Sequence, residues 1–190
     1  MVNGRKQQIL DTAAGLFANR GFHGVSVHDI GTAVGVSGPA LYRHFSGKDA
    51  ILSEMLVDIS DRLLNEGRKR TDAAASAFDS LQSLVDWHVD FALTYPSLIV
   101  VQEREWANLS GEAQDAVRAT QLAYIDLWVQ ALRTLRPELD VRSARAAAQA
   151  VFGLINSTPH SARISRDAMR QLLTEMALAA LLGRANAAGS

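Results

Sequence analysis

This sequence predicts an all-α fold of about nine helices, on three observations. Apolar residues recur at three- and four-residue spacing along most of the chain. Strand-like alternation is sustained nowhere. No glycine-rich segment follows a candidate strand. With 190 residues, 48% of them hydrophobic, the chain can bury a real core in one domain or in a small and a larger helical module.

The elements follow in order. Ile9, Ala13, Leu16 and Phe17 mark a first helix, which Arg20-Gly21 ends because glycine supplies a left-handed turn. Ser26 and Asp29 have capping-box spacing and open a short second helix with Ile30, Ala33 and Val34, stopped by Gly35. Ser37 is placed to cap a third helix, Gly38 to Phe45. Ser46 and Asp49 repeat the cap spacing before a longer fourth helix through Ile51, Leu52, Met55, Leu56 and Ile59. The polar stretch Arg68–Asp72 reads as a module boundary. Five further helices are expected over Ala74–Tyr95, Ser97–Asn108, Gly111–Leu135, Arg142–Thr158 and Arg166–Leu182. Pro96, Ser110-Gly111, Arg136-Pro137, Pro159 and Gly183 punctuate them, and Ala185–Ser190 reads as a loose tail.

A net charge of −1 argues against a generic polyanion binder. The charge is not evenly spread. Residues 1–50 carry Arg5, Lys6, Arg20, Arg43 and Lys48 against Asp11, Asp29 and Asp49, a net of +2, and hold three of the five histidines. The absence of cysteine excludes disulfides, thiolate metal sites and cysteine nucleophiles, and fits a cytoplasmic protein. No secretory signal is visible, and no apolar run approaches the ~20 residues of a membrane span.

The third helix carries the clearest chemistry. Leu41 and Phe45, four apart, face Ile30 and Val34, which leaves Pro39, Tyr42 and Arg43 on the opposite side. Proline is tolerated in a first turn, where its missing N–H has no helical partner. An exposed Pro, Tyr and Arg make a poor core surface and a good one for the DNA major groove, which admits one helix. Arg43 has the fork geometry for a guanine edge or a phosphate, and Tyr42 and His44 can donate to phosphate oxygens. Small Gly38 and Ala40 permit close approach. Lys48 lies at the start of the fourth helix, whose free amides also favour an anion. The residues expected to face DNA are Val27, His28, Gly38, Pro39, Ala40, Tyr42, Arg43, His44 and Lys48.

Gly21-Phe22, Ser26-Val27, Asp29-Ile30, the run Ala33 to Phe45, Lys48 and Ile51-Leu52 together resemble the N-terminal signature of tetracycline-repressor-like regulators. Gly31 departs from the alanine usual in that family and should weaken the second helix by up to ~1 kcal/mol. The resemblance implies a helix-turn-helix DNA-binding domain over 3–63 and an effector-binding and dimerisation domain over 72–184. It implies a homodimer acting on a palindromic double-stranded operator, most often as a repressor, and requiring no cofactor. The last two helices would then pair with their copies. Met169, Leu172, Leu173, Met176, Ala180 and Leu181 form one stripe, and Ala144, Ala147, Ala148, Val151 and Ile155 another.

The effector set is Trp87, His88, Phe91, Arg104, Trp106, Tyr124, Trp128, Phe152 and Asn156, aromatic surface with a few polar groups. His88 falls on the stripe Leu81, Leu84, Phe91 and Tyr95 and so points inward. The stretch Phe152–Ser161 resembles members that govern fatty-acid, branched acyl or steroid breakdown and respond to acyl thioesters. This points to a fatty-acid or acyl-CoA-like effector. Two other readings are an architectural DNA binder without effector and a small all-α enzyme. Against the enzyme, His23, His28, His44, His88 and His160 offer no i, i+4 pair, so no metal site is expected, and no nucleophile-elbow or phosphate loop occurs. Glu103 and Glu105 flank Arg104 as on a solvated helix face, so no catalytic residue is assigned.

Overall fold

The computed structural model describes residues 2–183, with side chains from residue 4. Among these there are no strands. The helices are α1 (Val2–Arg20), α2 (Val27–Val34), α3 (Gly38–Tyr42), α4 (Lys48–Asp72), α5 (Ala77–Thr94), α6 (Pro96–Glu105), α7 (Gly111–Leu135), α8 (Val141–Ile155), α9 (Thr158–Ser161) and α10 (Arg166–Leu182). A 3-10 turn, Trp106–Asn108, follows α6. The expected tail from Ala185 lies outside the described residues. No single helix among the described residues is long and apolar enough to cross a membrane.

The punctuation has physical causes. Gly21 and Gly35 adopt φ of +73° and +74°, the left-handed conformation that costs glycine nothing. At the start of α2 the capping box is complete: the Asp29 amide donates to Ser26 Oγ at 3.1 Å, and the Ser26 amide donates to Asp29 Oδ2 at 2.8 Å. The Ser26 hydroxyl, which lies 2.6 Å from Asp29 Oδ2 and can donate to it, and then the Ser26 amide hold the Asp29 carboxyl below its usual range.

Several boundaries differ from expectation. Ser37 makes no side-chain cap. α3 ends at Tyr42, and the His44 and Phe45 amides both return to the Leu41 carbonyl. α4 begins at Lys48, and its helical turns run through Arg68–Asp72, so that polar stretch is helix and not a break. α5 starts later than Ala74 because Ser76 accepts the Asp79 amide. α8 starts at Val141 under an Asp140 cap and ends at Ile155. The single-turn α9 then carries Pro159 in its first turn.

By compactness the chain forms two units. Unit 1 comprises Met1–Ser60 and Ser97–Ala119; unit 2 comprises Asp61–Pro96 and Thr120–Ser190. The division passes through α4 and α7, where no sequence boundary is visible. In unit 1, α1 packs on α2 and α2 on α3 around Ile9, Phe17, Phe22, Ile30, Leu41, Phe45 and Leu52. In unit 2, α10 packs on α5 and α8 around Leu84, Val85, Ile155, Leu173 and Leu181.

Candidate functional site

The surface expected to read DNA is built on α3. Leu41 and Phe45 are buried, while Pro39, Arg43 and Tyr42 (57% exposed) face outward. His28 is exposed, and Val27, Gly38, Ala40, His44 and Lys48 are half-buried. Val27, His28, Tyr42 and Lys48 border one open hollow of about 660 Å³. Gly31 is buried in α2, where an added Cβ would lie 3.1 Å from the Val36 carbonyl oxygen. Its weak helix propensity therefore accompanies a close approach of the turn before α3.

Lys48 makes contacts that the sequence did not suggest. Its ammonium donates to the carbonyls of Phe22 at 3.0 Å and Val25 at 3.2 Å, and lies 4.5 Å from the Phe22 ring centroid. It clasps the loop between α1 and α2. An ammonium has three N–H groups, so these two bonds leave a third donor.

Glu105, expected on a solvated face, is buried in unit 1. Its carboxylate accepts the Phe22 amide at 3.1 Å and the Asn108 side-chain amide at 2.8 Å. Beside it Arg104 donates to the Ala18 carbonyl at 3.0 Å. The end of α6 thus satisfies a donor and an acceptor left over where α1 stops. The signal was present in the sequence: Glu105 continues the stripe Leu98 and Val101 at helical spacing.

The proposed effector residues divide between the units. Arg104 and Trp106 belong to unit 1, where the Arg118 guanidinium lies 5.8 Å from the Trp106 ring centroid. In unit 2, His88, Tyr124 and Phe152 lie with their rings nearly parallel. The His88–Phe152 centroids are 4.6 Å apart, and Tyr124 is 5.8 Å from both. Trp128 stands edge-on to all three, 4.8 Å from Phe152. Phe91 closes one side, 5.9 Å from His88. Asn156 Oδ1 meets His88 Nε2 at 3.2 Å. Trp87 is engaged with α4: its indole N–H donates to the Leu63 carbonyl, and Arg70 covers its ring.

Burial holds His88 down to about 4, only partly offset by Asn156, so the imidazole is neutral at physiological pH. Burial pushes the Tyr124 hydroxyl up, with Trp128 and Arg70 opposing. His88 Nδ1, Tyr124 Oη and Trp128 Nε1 are buried without a hydrogen-bond partner. Against Tyr124, α4 comes unusually close: a Cβ on Gly67 would lie 2.8 Å from the ring. Among the described residues no group of three or more His, Asp or Glu side chains could hold a metal ion.

On α10 the expected dimer stripe splits. Met169, Leu173 and Leu181, with Ala177, fill the unit's own core, whereas Leu172 and Met176 are 43% and 45% exposed. Four-residue spacing separates the two sets onto adjoining faces. On α8, Ala144, Ala148, Val151 and Ile155 are likewise core.

An outward-facing third helix on a helix-turn-helix frame, joined to a larger helical unit with an aromatic cluster, defines the class of two-part helical DNA-binding regulators. Comparison with known proteins makes it particular. The family model described as bacterial regulatory proteins, tetR family, matches residues 9–55, and that described as tetracyclin repressor-like, C-terminal domain, matches residues 74–181. The chain belongs to the tetracycline-repressor (TetR) family and is a ligand-responsive DNA-binding transcriptional regulator.

The HTH-type transcriptional repressor KstR2 of Mycobacterium tuberculosis is 27% identical over 147 residues, covering 74% of each chain. The fatty acid metabolism regulator protein of Bacillus subtilis is 24% identical over 157 residues, covering 80% of this chain and 79% of that protein. A TetR-family regulator from Bordetella parapertussis superposes with a TM-score of 0.83 at 25% identity, over 97% of this chain and 98% of that one.

Proposed function

We propose that the protein acts as a homodimeric repressor on a palindromic operator, released by an apolar or acyl-bearing effector held in the aromatic cluster of unit 2. One observation carries the DNA half. Pro39, Tyr42 and Arg43 share an exposed face on a helix anchored by Leu41 and Phe45. Arg43 reads a base edge; His28, Tyr42, His44 and the remaining N–H of Lys48 take phosphates. Two such helices must stand ~34 Å apart to enter successive major grooves, which requires a two-fold dimer. The exposed Leu172 and Met176 of α10 supply apolar surface for it.

The effector half rests on the cluster of His88, Phe91, Tyr124, Trp128 and Phe152 with Asn156. The names of the relatives, a ketosteroid regulator and a fatty acid metabolism regulator, support an apolar ligand. Release requires that the ligand prefer a dimer whose two α3 helices no longer match the groove, since equal affinity for both forms shifts nothing. α4 is continuous from the first unit into the second and is the natural carrier of that change.

The test uses DNA from the promoter of the protein's own gene in fluorescence anisotropy. Arg43→Ala should cost about 1–3 kcal/mol of preference for the true site over a scrambled one. Titration with fatty acids, acyl-CoA thioesters and steroids should change tryptophan emission at the concentrations that dissociate the complex. Unchanged operator affinity in Arg43→Ala/Lys48→Ala removes the reading head from α3, and a panel without effect on either signal removes the effector class.

A further inference from the structure

The three unpartnered atoms in unit 2 belong to one cluster. His88 and Tyr124 are each 4% exposed and Trp128 0%. Their rings touch, and His88 Nδ1, Tyr124 Oη and Trp128 Nε1 have no hydrogen-bond partner. The Trp128 indole nitrogen lies near the Tyr124 hydroxyl but does not reach hydrogen-bond geometry with it. Buried polar groups are ordinarily paired, and each exception calls for a cause. Three exceptions in contact, on α5 and on one face of α7, call for a common one. Val85 and Phe91 on α5, and Val129 and Leu132 on α7, show that these elements can bury apolar side chains, so a purely structural cluster had no need of a hydroxyl and an indole N–H.

The atoms also specify what would satisfy them. An indole N–H only donates, and a tyrosine hydroxyl donates or accepts. With Asn156 Oδ1 facing Nε2, the His88 proton sits on Nε2 and Nδ1 offers a lone pair. No cation is among the three. Arg70, the charge felt by Tyr124, is paired with Glu66 at 3.0 Å. A free carboxylate placed here would meet two donors and one repelling lone pair, with no counter-charge to compensate its desolvation. A ketone, ester or thioester carbonyl accepts from Trp128 and Tyr124 and carries no charge to desolvate.

We infer that the effector enters this cluster by a neutral carbonyl-bearing head, bound by the Trp128 indole N–H and the Tyr124 hydroxyl, and that the site discriminates against the corresponding free carboxylate. The inference rests on the effector site proposed above. It narrows that site's ligand from apolar or acyl-bearing molecules in general to uncharged carbonyl compounds.

Four probes of matched length test it at pH 7.5 on the full chain: octanoate, methyl octanoate, 2-nonanone and nonane. Binding is followed by calorimetry and by the indole ¹⁵N–¹H resonances, with that of Trp128 assigned through Trp128→Phe. Methyl octanoate and 2-nonanone should bind at least tenfold more tightly than octanoate or nonane and move the Trp128 indole proton downfield. Tyr124→Phe removes an unpartnered buried hydroxyl, so it should keep or raise the melting temperature while weakening the ester and ketone about tenfold.

A variant that loses both stability and binding marks Tyr124 as structural and overturns the inference. So does octanoate binding as well as its ester, nonane binding as well as either carbonyl compound, a Trp128 resonance that no probe moves, or no binding by any probe. In each of these outcomes, an operator complex that still dissociates with longer acyl thioesters or steroids leaves the effector site itself standing. Failure of that dissociation as well removes the site and the inference together.

Discussion

Replacing Glu105 by alanine tests whether α6 is part of the reading head. In the native protein the Phe22 amide, at the foot of the turn that follows α1, donates to a buried carboxylate at 3.1 Å, and Asn108 holds the other oxygen at 2.8 Å. Alanine leaves the amide without an acceptor in a place that water does not readily reach. An unsatisfied buried donor costs about 1–3 kcal/mol, and the half-buried bond to Asn108 adds about 0.5–1.5. A loss of roughly 2–4 kcal/mol is therefore expected, a large fraction of the ~5–15 kcal/mol that holds a typical domain folded. Glu105→Gln retains an oxygen for Phe22 and should lose only about 1 kcal/mol.

Hydrogen exchange reads the effect where it arises. At about 1.4 kcal/mol per decade, a 2 kcal/mol loss makes exchange of the Phe22 amide roughly thirtyfold faster. Urea unfolding supplies the total, and operator affinity should fall with it because the loop that carries the start of α2 loosens. A Glu105→Ala protein whose Phe22 amide exchanges at the native rate would refute the reasoning, since the acceptor would then be dispensable.

Three further outcomes are expected. His88 is held at about 4 in the fold against 6.5 when unfolded, so below pH 6.5 the unfolded chain binds the proton first. Stability should be unaffected above that pH and fall by roughly 2 kcal/mol between pH 7.5 and 5, and His88→Phe should remove this slope in urea titrations at the two pH values. Leu173 is 3% exposed and Met176 45%, so Leu173→Glu should unfold the protein, whereas Met176→Glu should give a folded monomer in light scattering. A Met176→Glu protein that remains dimeric would exclude this face. Gly67→Ala gains about 1 kcal/mol of helix propensity but forces a methyl group to 2.8 Å from the Tyr124 ring, an overpacking that costs about 1–3 kcal/mol. The net change should be a loss of stability, and a rise in melting temperature would show that the ring moves away freely.

Much of the head could be read from residue types alone. Glycine at 21 and 35 and the Ser26–Asp29 box announce their turns through local chemistry, and these positions behave as their residues require. The inward Leu41 and Phe45 follow from a four-residue spacing that admits one core face. Ser76 and Asp79 carried the same box spacing, yet the apolar pattern from Ala74 obscured it. On α10 a stripe of Leu, Met and Ala identifies buried surface without saying whether the same chain or another covers it. Spacing of four from Met169 to Leu181 marks the part that this chain covers. Alternating charge around Arg104 gives Glu105 the pattern of a solvated face, whereas its place behind Leu98 and Val101 at helical spacing is the feature that goes with its burial. Orphaned atoms such as Trp128 Nε1 have no sequence signature at all, since satisfaction depends on what lies across space. The division of the chain into units is of the same kind: it arises from a return of residues 97–119 that no linker announces.

That return bears on how regulators of this architecture can be recombined. A chimaera made by cutting within α4 and joining residues 1–60 to a foreign ligand-sensing part leaves Arg104 and Glu105 behind. The Ala18 carbonyl and the Phe22 amide then face whatever side chains the host happens to supply. Transplanted DNA specificity should survive best where the host's own sixth helix offers a carboxylate and a guanidinium at the matching positions, or where both are grafted with the head. The transferable cassette is therefore two segments of sequence, and a graft confined to the first would carry the reading helix without the brace that fixes its approach.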